Sequence, residues 1–221
     1  IHRMYWFMNE KGADRPSRKI RKRTNEPRGV SVKPGTYNLK MSFGNQTSES
    51  SIKVEFDPRL EMSIEAITEI YNASKDMEKD QQLMADVLKQ LVESKNTATA
   101  FKKNLAIEDK KNYKDQIKAS KDIITKIDKL IAVYIGSVDK RQGITRNPEV
   151  TVSRRYSSAR RYVGSRFGHL TTTEKLLISQ YKKALETAIS ETNAFFDTEW
   201  KAYKTTLETI RISPFKEVQK F

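Results

Sequence analysis

The spacing of apolar residues changes at Pro58, and this change limits the folds open to the chain. Residues 37–43 (YNLKMSF) alternate apolar and polar side chains, the two-residue period of a half-buried strand. Beyond Pro58, apolar residues recur every three or four positions, as they do in amphipathic helices. The sequence therefore predicts an α+β protein with a β module at residues 1–58 and a helical part at residues 59–221.

The β module contains three candidate strands. Residues 37–43 and 52–56, separated by a Gly-Asn turn, predict a β-hairpin. The apolar run at residues 4–8 predicts a third strand, covered on both faces, and the proline-containing basic segment at 12–34 predicts a long loop. A sandwich takes about seven strands. Three strands therefore predict a partial β-sandwich of the FN3/Ig type, completed by the helices or by strands upstream of Ile1.

Four helical segments follow, and the last has the clearest start. Thr171 and Glu174 have the spacing of a capping box. A helix of some 40 residues would be about 60 Å long, and long helices need partners because isolated helices are marginally stable. The pattern predicts a long antiparallel bundle of three to four helices. The expected bounds are about 63–105, 109–135, 152–165 and 171 to Pro214.

Positive charge is concentrated in two stretches. Residues 15–33 carry a net charge of +7 and residues 139–161 carry +5, out of +14 for the chain. Two local basic segments indicate a partner more strongly than a diffuse basic composition does. The candidate residues for binding an anion or a partner are Arg18, Lys19, Arg21, Lys22, Arg23, Arg154, Arg155, Arg160 and Arg161.

The second basic stretch is open to three interpretations. Its tyrosines and arginines alternate, which suits phosphate contacts combined with base stacking. However, Tyr156, Ala159, Val163 and Phe167 share one helical stripe, which would dock on the bundle and leave the arginines in solvent. In the first interpretation the arginines are solvated or form contacts within the molecule. In the second they contact a protein or an anion of the cell envelope. In the third they bind nucleic acid.

The residues needed for catalysis or metal binding are scarce. Cysteine is absent and there are two histidines, of which His169 suits a loop or packing role. Carboxylates are plentiful enough for a glycosidase pair, but they alternate with lysines, which favours surface ion pairs at helical spacing. We expect no catalytic, cofactor-binding or metal-binding residues and no cofactor. The sequence contains no run of 18 apolar residues, so it predicts no transmembrane helix.

Three short motifs resemble a known family. Residues 9–12 (NEKG) with 15–17 (RPS), then 32–37 (VKPGTY) and 56–60 (FDPRL), resemble the junction found in sortilin-like proteins with neuraminidase-type (Asp-box) repeats. These proteins occur widely in Bacteroidetes and are often labelled glycosyl hydrolases. The helical part matches in its order and length, in the Thr-x-x-Glu start of the last helix and in the Pro-Phe near the end. The basic run at 18–23 departs from the family pattern, and the repeat signature itself is absent.

The resemblance implies a β-propeller upstream in the same polypeptide. It also implies a location in the cell envelope (periplasm or outer-membrane surface) or secretion. The first hypothesis is a non-catalytic C-terminal interaction or scaffold module that binds another protein or an envelope component. One alternative is a part of a glycoside hydrolase whose active site lies in the propeller. A second is nucleic-acid binding through the two basic segments.

Overall fold

The computed structural model describes residues 3–20, 24–138 and 149–210 and confirms the α+β class. In this part of the chain, two antiparallel sheets of two strands each precede the helices. The strands are β1 (Asn9–Lys11), β2 (Arg28–Ser31), β3 (Gly35–Phe43) and β4 (Gln46–Val54). The helices are α1 (Ile64–Asp109), α2 (Lys114–Ile135), α3 (Val152–Gly164), α4 (Thr172–Phe195), a π-helical turn (Phe196–Trp200, the π turn) and α5 (Lys201–Glu208).

The predicted hairpin is confirmed. Strands β3 and β4 pair in one continuous register, from Gly35 opposite Val54 to Phe43 opposite Gln46. Gly44 turns the chain with a φ of 57°, a left-handed conformation that glycine adopts without steric cost. The second strand begins earlier than predicted, because polar residues 46–51 pair with β3 through their backbone whatever their side chains.

Two predictions for the rest of the β module are wrong. Residues 4–8 form no strand, and their side chains are 38% to 87% exposed. The segment predicted as a loop contains β2, which pairs with β1. Residues 4–8 have the apolar composition of a strand, but they precede the three-residue β1 and are not part of its pairing with β2. The sequence did not predict strand β2, because its four residues (RGVS) do not alternate between apolar and polar side chains.

The sheet of β1 and β2 packs closely on α1. A Cβ atom on Gly29 would lie 2.7 Å from a carboxylate oxygen of Glu78 on α1. The Gln81 amide on α1 donates to the carbonyl oxygens of Ala13 (3.1 Å) and Asp14 (3.0 Å). The glycine and these hydrogen bonds hold the N-terminal segment against the first half of the long helix.

The long helices run in alternating directions. Lys95 on α1 pairs with Asp128 on α2 at 2.6 Å. Hydrogen bonds of 2.9 Å join α2 to the last helices, from Tyr134 to Thr192 and from Ser120 to Tyr203. Lys95 lies 14 residues before the end of α1 and Asp128 lies 14 residues after the start of α2, so α2 folds back antiparallel to α1. Along α2 the residue number falls from 134 to 120 as its partner rises from 192 to 203, so α2 is also antiparallel to α4–α5. Their shared core includes Met84, Leu88, Leu91, Leu105, Ile127, Ile131, Tyr134 and Tyr181.

Helix α3 docks on this core through its apolar stripe, as one of the three interpretations of the second basic stretch predicted. One residue of the stripe is an exception. Tyr156, Ala159 and Val163 are buried. Phe167 is 68% exposed, because α3 ends at Gly164 and the chain beyond it does not continue the helical stripe. The second helix also begins later than predicted, after a turn at residues 110–113.

The predicted capping box at the start of α4 is present. The Glu174 carboxylate accepts a hydrogen bond from the Thr171 backbone N–H at 2.8 Å and another from the Thr171 hydroxyl. These bonds lower the pKa of Glu174. The helix does not continue unbroken, since the π turn separates α4 from α5. Its predicted end at Pro214 lies outside the described residues.

Candidate functional site

A cleft of about 890 Å³ lies between β2, the first half of α1 and the end of α3. A second cleft of about 660 Å³ lies between α3 and the segment at Arg15 and Pro16. Both clefts are lined by Arg15, Gln81, Tyr156, Arg160 and Gly164. They therefore form one continuous depression, with Arg15 and Arg160 at the boundary between its two parts.

The larger cleft has an apolar wall. It is built by the segment that connects β4 to α1, by successive turns of α1, and by a residue three positions beyond the end of α3. Apolar side chains in a concave site exclude water and favour an apolar ligand group. The wall consists of Phe56, Leu60, Met62, Ile67, Ile70 and Phe167.

The charges that line the larger cleft do not balance. The lining acids already have lysine partners, Glu26 with Lys11 at 3.1 Å and Glu78 with Lys75 at 2.6 Å. Arg15, Lys33 and Arg160 also line it, and within the described part of the chain none of them pairs with an acid. Arg28 stacks on the Phe7 ring at 3.6 Å, and Arg166 donates to a backbone carbonyl. The cleft thus has an excess of positive charge.

A polar cluster beside the cleft has its charge states fixed by hydrogen bonds. Lys75 lies between Glu78 (2.6 Å) and Glu10 (2.9 Å), and these two bonds raise its pKa. Bonds from the Tyr71 hydroxyl and from Lys75 lower the pKa of Glu10, and the bond to Glu10 raises that of Tyr71. Every shift strengthens the charge state that the group already has at neutral pH. Such groups hold structure and are unsuited to proton transfer.

The floor of the depression is a buried phenol. The Tyr156 hydroxyl donates to the Gln81 side-chain oxygen at 3.1 Å, and burial raises the pKa of Tyr156 to about 12. Behind it, the Tyr181 hydroxyl donates to Asp80 at 2.8 Å, and burial raises the pKa of Tyr181 as well. Both phenols are neutral at physiological pH and serve as hydrogen-bond donors.

The predicted site residues of the first basic stretch, at positions 18–23, have different surroundings in the structure. The half-buried Arg18 donates to the carbonyl oxygen of Gly136, just beyond the last residue of α2, so it supports the fold. Lys19 is exposed. Arg21, Lys22 and Arg23 lie outside the described residues. A contact of any of these five residues with a partner remains a prediction.

The second group lies on the solvent side of α3. Arg154, Arg155, Arg160 and Arg161 are all exposed. Arg160 lines both clefts and Arg161 lines the smaller one, whereas Arg154 and Arg155 line neither. The structure thus brings part of this group beside Arg15. Sequence reasoning placed Arg15 in a basic stretch but not among the candidates, because the denser run at 18–23 gave the stronger signal.

A second surface of interest is the apolar face of the hairpin. The register of β3 and β4 places four large apolar side chains on one face. They are exposed by 42% (Leu39), 64% (Met41), 85% (Phe43) and 39% (Ile52). Trp6 covers the base of the face, where its ring centroid lies 5.5 Å from that of Tyr37. The opposite face is polar, with a Lys40–Glu49 ion pair of 3.2 Å.

Metal ligands do not converge in the part of the chain that the structure describes: no group of three or more histidine or acidic residues could hold an ion there. His169 is exposed, and its Nδ1 lies 2.8 Å from Glu69. Over the same residues, no helix has both the length and the apolar character required to cross a bilayer.

The aromatic residues late in the chain lie mainly in the core. Phe195 and Tyr203 are buried, and Phe196 and Trp200 pack against the core. A carbohydrate-binding platform of aromatic side chains would need these rings to be exposed.

Comparisons with protein-family models, with curated proteins and with solved structures found no match to this chain. The resemblance to sortilin-like proteins therefore stays a prediction carried by its three motifs. What the structure itself defines is an α+β protein with a cationic cleft and an uncovered apolar hairpin.

Proposed function

We propose that this chain is a non-catalytic interaction module that binds a partner protein through the apolar face of the β3–β4 hairpin. A β-sheet of the partner packs face to face on the hairpin and completes a β-sandwich. The observation that carries the proposal is the uncovered row of Leu39, Met41, Phe43 and Ile52.

The exposed row has an energetic cost in the free chain. Contiguous apolar surface of this kind is uncommon on monomers and marks interaction sites. Burying one large apolar side chain contributes about 1.5–3 kcal/mol. An isolated two-stranded hairpin is marginally stable in water, so a covering sheet stabilises the hairpin as well as the complex.

The chemistry of the hairpin favours a sheet over a charged partner. Along β3, apolar and polar side chains alternate between the two faces, the pattern of a sandwich strand. The charges of the hairpin are balanced, since Lys40 pairs with Glu49 and Lys53 pairs with Glu55 at 2.6 Å. A nucleic acid would find no excess of cations on this face.

The family resemblance supplies the context of the proposal. In that context the helices form a bundle that supports the hairpin, and the partner is the propeller of the same polypeptide or another component of an envelope assembly. The glycoside hydrolase alternative places the activity in the propeller and predicts no glycoside turnover by these 221 residues.

Site-specific photo-crosslinking tests the proposal. The chain lacks cysteine, so Met41→Cys and Lys40→Cys each give a single attachment point for a benzophenone label. The two positions are adjacent but lie on opposite faces of the hairpin. We expect the label at position 41 to crosslink a partner from an envelope extract of the source cells several-fold more efficiently than the label at position 40.

The crosslinked peptide decides the outcome. A peptide from an apolar-faced β-strand of the partner supports the proposal. Equal yields from both faces, no crosslink, or a crosslink to a second copy of this chain would contradict it. Met41→Ser is the stability control, and we expect it to change the free energy of unfolding by less than about 0.5 kcal/mol, because Met41 is exposed.

A further inference from the structure

We propose that the depression between β2, α1 and α3 binds an amphiphilic phosphate, with its phosphate on Arg15 and Arg160 and its aliphatic body on the apolar wall. This site is separate from the proposed interaction surface and uses none of the four exposed residues of the hairpin face.

The volume and the wall fit an aliphatic body. A cleft of about 890 Å³ lies within the range of about 300–1,000 Å³ that small-molecule sites occupy. Leu60, Ile67 and Phe167 line one part of it, and Phe167 is largely exposed without a ligand. An alkyl chain lying here would remove these side chains from water.

The charges fit an anionic head. Arg15 and Arg160 line both clefts, and neither pairs with an acid among the described residues. Guanidinium groups present donors in a planar fork that matches the oxygens of a phosphate. The lining acids Glu26 and Glu78 are neutralised by lysines and do not oppose an anion.

The smaller cleft supplies the remaining donors for the head. Ser153, Ser157 and Arg161 line it, at spacings that place them on one side of α3. The Ser153 hydroxyl is buried, so Ser157 and Arg161 are the groups that contact the head. Among the residues that the structure describes, no acid lines this cleft. A head with several oxygens therefore lies toward the smaller cleft, and the body lies toward the larger one.

Calorimetric titration of the whole chain tests the site with three probes. Decyl phosphate carries both features, inorganic phosphate carries the head alone, and decyl maltoside carries the chain with a neutral head. We expect decyl phosphate to bind at least about tenfold more tightly than inorganic phosphate, since both the head and the body contribute. We expect decyl maltoside to bind at least about tenfold more weakly than decyl phosphate, because its head carries no charge.

Matched variants locate the binding. Arg160→Gln should weaken decyl phosphate binding by about tenfold or more, because it removes charge-assisted hydrogen bonds. Arg155→Gln is the control: it removes an exposed arginine from the same helix but from neither cleft. Phe167→Ser should weaken decyl phosphate binding and leave inorganic phosphate binding unchanged.

Vesicles containing phosphatidic acid separate a lipid headgroup from a free alkyl phosphate. Co-sedimentation that is lost in Arg160→Gln but kept in Arg155→Gln assigns the phosphate to a lipid, and binding of decyl phosphate alone assigns it to a free amphiphile. The proposal is overturned if decyl phosphate does not bind, if decyl maltoside binds equally well, or if Arg155→Gln matches Arg160→Gln. Crosslinking at position 41 is unaffected by these variants, so the two proposals fail separately.

Discussion

At the scale of single residues, Gly12 shows how closely the N-terminal strands approach each other. A Cβ atom at this position would lie 2.5 Å from the carbonyl oxygen of Arg28, a backbone atom that cannot move aside alone. We expect Gly12→Ala to lower the free energy of unfolding by about 1–3 kcal/mol, the usual cost of overpacking. Denaturant titration measures this change.

Gly164 provides the matched control for that substitution. A Cβ atom there meets no other atom within 4 Å. Gly164→Ala should therefore be neutral, or stabilising by about 0.4–1 kcal/mol through the unfolded state. Equal losses of stability in the two variants would show that the close approach at Gly12 is not the cause.

The buried Tyr156 predicts a loss of stability in alkali. Burial raises its pKa to about 12 from an ordinary value of 10, so between these two values the unfolded chain releases the phenolic proton first. Stability is fully present below pH 10 and falls as the pH rises toward 12. We expect Tyr156→Phe to reduce the slope of unfolding free energy against pH in this window.

Absorbance near 295 nm follows the ionisation of the phenols, and denaturant titration at each pH follows stability. Tyr162→Phe, which removes an exposed phenol from the same helix, is the control. An unchanged slope in Tyr156→Phe would show that another group governs the alkaline transition.

At the scale of elements, the π turn keeps the last helix in register with the core. Phe195 and Tyr203 are both buried, yet eight α-helical steps of about 100° would place them about 80° apart around the axis. A π turn holds an extra residue per turn, so each residue rotates less. This brings Tyr203 back to the core side, where its hydroxyl lies 2.9 Å from that of Ser120.

If the π turn is one extra residue, removing one residue from it should be tolerated. We expect deletion of Thr198 to give a continuous α-helix that keeps Tyr203 on the core side and unfolds cooperatively. Deletion of Thr187 in α4 is the control, because Thr187 is equally exposed and also bonds to the carbonyl four residues earlier. There the deletion should rotate every later core residue by about 100°.

Thermal unfolding followed by circular dichroism compares the two deletions. The Thr187 deletion should lose several kcal/mol of stability or fail to fold, since core residues would move to solvent. A Thr198 deletion that is as damaging as the Thr187 deletion would contradict this account of the π turn.

At the scale of the whole molecule, Gln81 joins three parts of the chain. From α1 it donates to Ala13 and Asp14 beside β1, and it accepts from Tyr156 on α3. We expect Gln81→Leu to cost about 1–3 kcal/mol, because buried polar groups lose their partners. Hydrogen exchange should accelerate at residues 9–14 and 28–31 more than in the helices.

Gln90→Leu tests whether this effect belongs to the site or to the substitution. Gln90 is exposed on the same helix, so its replacement should leave exchange in the N-terminal strands unchanged. Unchanged exchange in Gln81→Leu would mean that Gln81 does not hold the strands on α1.

Several features were determined by the sequence alone, because their causes are local. The hairpin at 35–54 follows from alternation around a glycine turn, and the start of α4 follows from the capping pair Thr171 and Glu174. The change of period at Pro58 predicted the α+β class. Each of these depends on hydrogen bonds or side-chain spacing within a few residues.

Other features were decided by tertiary structure. Strand β2 has no pattern of its own and exists because β1 and α1 lie beside it. The apolar residues 4–8 stay 38% to 87% exposed, because in the described part of the chain they belong to neither sheet. Arg15 and Arg160 line the same depression because tertiary hydrogen bonds, among them those from Gln81, hold the first segment on α1. Contacts between residues more than 60 positions apart depend on packing, and spacing along the chain contains no record of them.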